Sequence, residues 1–146
     1  MKAIWLDMDG TIASLYDVPN WLAMLEAHDA TPYAIARPMV NLSRLARKLN
    51  MLQRAGYELG IISWLSRSSN SAYDELVRAA KLQWLKLHLP SVQWNYVHIV
   101  AYGTNKWETC GRTGVLFDDE ERNRVAWANG LSYGPEQIFD VLKSYL

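Results

Sequence analysis

Trp5-Leu-Asp-Met-Asp-Gly-Thr-Ile-Ala13 sets two carboxylates one residue apart, where an apolar run gives way to Gly-Thr. Aspartate is a poor strand residue and is costly to bury unpaired. Asp7 and Asp9 nevertheless stand at the end of what reads as a short buried strand, residues 2–7, beside Gly10. Acids in that position ask for a partner, and the rest of the chain has to supply it.

Outward from this stretch, apolar patterning alternates between strand and helix. Residues 38–56 predict a helix with Pro38 in its first turn, Leu42, Leu45, Leu49 and Leu52 on one face, and Gly56 as its stop. Residues 57–63 predict a second strand, ending on a polar residue as the first does. Residues 69–90 predict a long helix with Tyr73, Leu76, Val77, Ala80, Trp84 and Leu87 on its buried stripe and Pro90 at its end. Two more strands are expected at 96–101 and 113–119, the latter running into acids, then a helix over 120–130. A short edge strand at 131–134 and a closing helix begun by Pro135 complete the chain. Such alternation implies βαβ units: an α/β fold with a mostly parallel sheet and helices on both faces. Residues 12–37 break the rhythm, with a short helix at 20–29 and a Pro-bearing loop. They read as a minimal cap insertion over the mouth of the sheet, within a single domain spanning 1–146.

The 146 residues are half apolar, with 15 basic and 15 acidic side chains, a balance without the footprint of a nucleic-acid or anionic-membrane binder. Cys110 is the only cysteine, so no intrachain disulfide forms and a reducing compartment is expected. The first ten residues meet acid too early for a secretory leader, and no run approaches the length of a membrane span. The expectation is a cytoplasmic protein.

In an open parallel sheet, ligands bind beyond the carboxyl ends of the strands. Asp7 and Asp9 fall after the first strand, Ser63 after the second, Lys106 in the loop after the third, and Asp118 and Asp119 after the fourth. Several carboxylates at one edge call for a cation, and oxygen-only donors favour Mg²⁺. Lys106 and the Ser63 hydroxyl are then free for an anion shared with the metal, and a phosphoryl group suits that chemistry.

These four segments, Asp7-Met-Asp-Gly-Thr11, Ser63, Lys106 and Asp118-Asp119, resemble the ordered motifs of the haloacid dehalogenase (HAD) superfamily of phosphotransferases. The resemblance implies a Rossmann-like HAD domain and a phosphatase. Asp7 would be the nucleophile and Asp9 the acid and base. Thr11, Ser63 and Lys106 would bind the substrate phosphate. Asp7, Asp118 and Asp119, with the Asp9 carbonyl, would hold Mg²⁺. A narrower likeness lies in Lys81-Leu-Gln-Trp84 through Pro90 and in Leu116-Phe-Asp-Asp-Glu-Glu-Arg-Asn123. These segments look like the second half of cytosolic 5′-deoxyribonucleotidases and the phosphatase half of polynucleotide kinase-phosphatases. The substrate implied is a small phosphorylated molecule, with a nucleotide the best guess.

Trp64 and Trp107 adjoin proposed site residues and could stack on a base; Trp5, Trp84 and Trp127 read as core. Arg67 reads as a solvated loop arginine, and the three histidines have no metal-ligand spacing. Two other functions stand beside the phosphomonoesterase. One is a non-catalytic module binding a phosphorylated ligand, which the intact acid and lysine set opposes. The other is a nucleic-acid end-processing phosphatase, favoured by the small insertion and opposed by the absence of basic excess. Oligomeric state is not encoded legibly.

Overall fold

The computed structural model describes residues 2–146. Strand β1 (Ala3–Leu6) leads through β2 (Ala13–Ser14) and a 3-10 turn (Leu15–Asp17) to α1 (Trp21–Glu26), α2 (Thr31–Ile35) and β3 (Arg37–Pro38). There follow α3 (Leu42–Arg54), β4 (Glu58–Trp64), α4 (Ser71–His88), β5 (Tyr96–Val100) and α5 (Lys106–Thr109). The chain ends with β6 (Val115–Phe117), α6 (Glu121–Ala126), β7 (Ser132–Tyr133), a 3-10 turn (Pro135–Gln137) and α7 (Ile138–Ser144).

Five strands form one sheet in the order β5-β4-β1-β6-β7, with every pairing parallel. A parallel sheet is covered on both faces, so its strands carry apolar side chains on each. From β1, Ile4 and Leu6 pack with Leu45 and Leu49 of α3, Trp84 of α4 and Leu142 of α7. Ala3 and Trp5 point the other way, into a cluster with Leu116, Cys110 and Trp127. Trp5 lies opposite Gly60 in the neighbouring strand, and a Cβ on Gly60 would come within 2.3 Å of the indole. The glycine is what lets the large ring lie flat on the sheet. Burial pushes the Cys110 thiol up to about 12, leaving it an inert core group. Among the described residues, no helix is long and apolar enough to cross a membrane.

The expected elements are present, with four local differences. Pro38 does not begin a helix; it pairs with Ala13 in a two-stranded antiparallel ribbon, where its missing N–H is tolerated. The helix starts instead after Asn41, whose side chain accepts from the Arg44 N–H at 3.0 Å. Within the insertion, the Asp29 carboxylate accepts from the Thr31 N–H and hydroxyl, so a second short helix forms around Pro32 where a loop is expected. On α4, Leu76 and Leu87 are 56% and 65% exposed, while Lys81 and Leu85 lie inward. Lys106 sits not in a loop but on the first turn of α5, capped by Asn105.

Candidate active site

Because the strands are parallel, the chain leaves β1, β4 and β6 at one edge, and the acids gather there. After β1 the Met8 carbonyl accepts from the N–H groups of Thr11, Ile12 and Ala13, folding residues 8–13 into a tight turn. Gly10 takes φ +79° in that turn, and a Cβ there would stand 2.2 Å from Asp119 Oδ2. This answers why the acids sit beside a glycine: only glycine lets the Asp119 carboxylate close on the first turn.

The Lys106 ammonium donates to Asp7 Oδ1 at 3.1 Å and to Asp118 Oδ2 at 2.6 Å. Burial works to lower the lysine pKa, but the two carboxylates overcome it and hold the group above its ordinary range. Asp118, fully buried, also accepts from Asn123 Nδ2 and from the Glu120 N–H. Asp7, Asp118 and Asp119 each present a carboxylate oxygen within 4.8 Å of the others. Burial first, and then the Asp7 charge, push Asp118 up to about 6 and Asp119 up to about 8. Burial also raises Asp9, with Lys81 opposing. This is a donor set short of positive charge, made of hard oxygens only, and it fits Mg²⁺.

A stability prediction follows, with its sign set by the raised values. Over the window from about 4 to about 8, the metal-free folded protein keeps protons that the unfolded chain releases. Its stability therefore falls as pH rises through that window. Thermal melts in chelator should show Tm dropping by several degrees between pH 5 and pH 8, and saturating Mg²⁺ should flatten the slope. A melt indifferent to Mg²⁺ at pH 8 would contradict the metal fit.

A cavity of about 590 Å³ opens over this cluster, between the insertion and the strand ends. Asp7, Asp9, Lys106, Asp118 and Asp119 all line it. The insertion contributes Tyr16, Trp21, Leu25 and Tyr33 to its lining, with one acid, Glu26.

Three sequence-predicted residues lie elsewhere than expected. Thr11 is fully buried and does not line the cavity; its hydroxyl donates to Asp7 Oδ2 at 3.0 Å and accepts from the Asp119 N–H at 3.2 Å. It braces the two acidic turns and does not face the cavity, where a phosphate ligand is expected. Ser63 is likewise fully buried, its oxygen accepting from Lys81 Nζ at 2.7 Å, behind the cavity lining. Trp107 stands edge-on to Trp127 at 4.9 Å, packed against the cluster of Trp5 and Leu116, and is not among the residues lining the cavity. The bulk of an indole next to Lys106 is used to cover apolar surface.

Trp64 does line the cavity. Its indole N–H donates to the Thr104 carbonyl, and the Arg122 guanidinium sits 4.5 Å from its ring. Two residues of the same loop were not singled out as ligands from sequence. Arg67 lines the cavity, and so does Ser66, which is 3% exposed beside the Tyr33 and Tyr73 hydroxyls without a well-aligned hydrogen bond. The largest omission is Lys81, buried on α4 against Asp9, Ser63 and the Trp64 carbonyl.

No family model and no curated protein matches the chain. Solved structures similar to it include a bisphosphate phosphatase and a protein complex. The D,D-heptose 1,7-bisphosphate phosphatase from Burkholderia thailandensis aligns with TM-score 0.55 and 16% identity over 90% of this chain and 75% of that one. The Pnkp1/Rnl/Hen1 complex aligns with TM-score 0.54 and 17% identity over 91% of this chain. Here the chain spans 46% of the other's length. At such identities the likeness is one of fold: a Rossmann-like α/β architecture with a parallel sheet.

Proposed function

We propose that this chain is a Mg²⁺-dependent phosphomonoesterase working through a phosphoaspartate on Asp7, with a nucleotide as the best substrate class. The observation that carries the reading is the convergence of Asp7, Asp9, Lys106, Asp118 and Asp119 on one cavity from two strand ends and α5.

The Asp7, Asp118 and Asp119 carboxylates and the Asp9 main-chain carbonyl would hold Mg²⁺, which when bound offsets phosphoryl charge. An Asp7 carboxylate oxygen attacks phosphorus, and the bond from phosphorus to the ester oxygen breaks. Asp9, lining the same cavity, gives its proton to that leaving oxygen. Asp9 then takes a proton from water, whose oxygen attacks the phosphoaspartate and releases inorganic phosphate with Asp7 regenerated. Lys106, bonded to Asp7 and Asp118, holds the nucleophile in place and faces the charge developing on the phosphoryl oxygens.

The aromatic side chains that the insertion brings to the lining suit an organic leaving group with a flat ring, and Trp64 lines the same cavity. The test is hydrolysis of a phosphate-ester panel by the pure protein, with Mg²⁺ and with excess chelator. Activity dependent on Mg²⁺ supports the reading; a folded, Mg²⁺-binding protein that turns over no ester would favour the non-catalytic module. In the same panel, Trp64→Ala should lower kcat/KM for a nucleoside monophosphate by ~5-fold to more than 100-fold, as loss of base stacking would. A small aryl phosphate should change less. Equal losses on both esters would remove the nucleotide from the reading and leave the phosphatase.

A further inference from the structure

Lys81 is 1% exposed in the middle of α4, flanked on the inward face by Val77, Trp84 and Leu85. An ammonium there is expensive to bury and is tolerated only when its protons are paired. Its three protons meet three acceptors at 2.7 Å each: Asp9 Oδ2, Ser63 Oγ and the Trp64 carbonyl. The Tyr33 ring of the insertion covers it at 5.0 Å. All three donors are spent, so the ammonium is fixed, and its two other anchors lie at the rigid end of β4.

We propose that Lys81 is a positioning residue for proton transfer by Asp9, a role that rests on the reading of Asp9 as the acid. An ammonium can only donate, so the oxygen facing it must accept. Lys81 therefore reserves Oδ2 as the acceptor and leaves Oδ1 as the one oxygen of Asp9 that can carry the transferable proton. Among the described residues Asp9 forms no other side-chain hydrogen bond, and it lines the cavity. Without Lys81 the carboxyl group could turn, and either oxygen could hold the proton in an unproductive direction. Binding of the phosphoryl group, which uses Asp7 and Lys106, does not pass through this contact.

The test uses two esters of similar size that differ in their need for a proton: phenyl phosphate, whose leaving group needs one, and 2,4-dinitrophenyl phosphate, whose leaving group does not. For each, kcat/KM reports formation of the phosphoaspartate and not its hydrolysis. Lys81→Met and Lys81→Gln are compared with the parent and with Asp9→Ala, after circular dichroism shows them folded. The expected result is a loss on phenyl phosphate on the order of 10²-fold, the low end for general-acid catalysis, with a loss below about 5-fold on the dinitrophenyl ester. Equal losses on both esters in the Lys81 variants, with Asp9→Ala still selective, would overturn the role of Lys81 while leaving the phosphatase reading intact. If neither Lys81 variant folds, the lysine is structural and the proposal fails. An Asp9→Ala protein that shows no selectivity would instead overturn the acid assignment, and the Lys81 role with it.

Discussion

Asp7→Asn is expected to fold as the parent does and to lose turnover by on the order of 10⁴-fold or more. The loss is large because no neighbour can stand in. Asp118 already accepts from Lys106, Asn123 and the Glu120 N–H, and Asp9 is held by Lys81. The fold survives because an amide keeps the hydrogen bonds within reach: its oxygen can accept from Lys106 and its nitrogen can donate to the Thr11 hydroxyl. The Asp7 charge is also one of the causes that raise Asp118 and Asp119, so its removal eases both. In chelator at pH 8 the variant should therefore melt no lower than the parent, and its response to Mg²⁺ should weaken. The check is turnover on an aryl phosphate beside melts with and without Mg²⁺. Near-parent turnover in the folded variant would remove Asp7 as the nucleophile.

What could be read from the sequence and what could not divides along contact distance. Strand ends are local: an apolar run followed by an acid announces itself, and parallel strands bring Asp7, Asp9, Asp118 and Asp119 to one edge. Lys106 came with the motif resemblance, although its one-turn helix is too short to show a period. The stripe of α4 was misread for a definite reason. A lysine within an apolar stripe is ordinarily outside, because burying an ammonium without partners is prohibitive. The partners of Lys81 come from 72, 18 and 17 positions away, and no periodicity of the helix alone contains them. Rotating the helix to bring Lys81 in carries Leu76 and Leu87 out. The same blindness explains Ser63 and Thr11: each hydroxyl is buried off the cavity lining and engaged by a neighbour distant in sequence. The insertion was legible as an interruption, while its ribbon and second short helix depend on pairing and on a single Asp29 turn.

Lys106→Met should separate stability from catalysis. The methionine fills the space of a nearly buried side chain, but it leaves Asp7 and Asp118 facing one another without their shared cation. Breaking a buried pair from one side costs about 3–5 kcal/mol, which for a chain of this size lowers Tm by roughly 10 °C or more in chelator. Raising the pH from 5 to 8 should deepen the loss, because the charge that Asp118, already pushed up to about 6, gains on deprotonation is no longer balanced by the ammonium. Mg²⁺ binds the folded state and supplies positive charge to the same carboxylates, so a saturating concentration should recover most of the lost stability. Turnover should not recover with it. A divalent cation on the carboxylates leaves the Lys106 side of the nucleophile and phosphoryl group without a donor, and loss of such a preorganised donor lowers kcat by on the order of 10²–10³-fold. The measurement is a paired series of melts and initial rates against Mg²⁺ concentration. If rate and stability return together to parent values, Lys106 serves only to balance the buried acids, and the phosphoryl-facing role assigned to it is wrong. If stability never falls in chelator, the acids do not depend on the lysine, and the electrostatic account of the site has to be rebuilt around Lys81 alone.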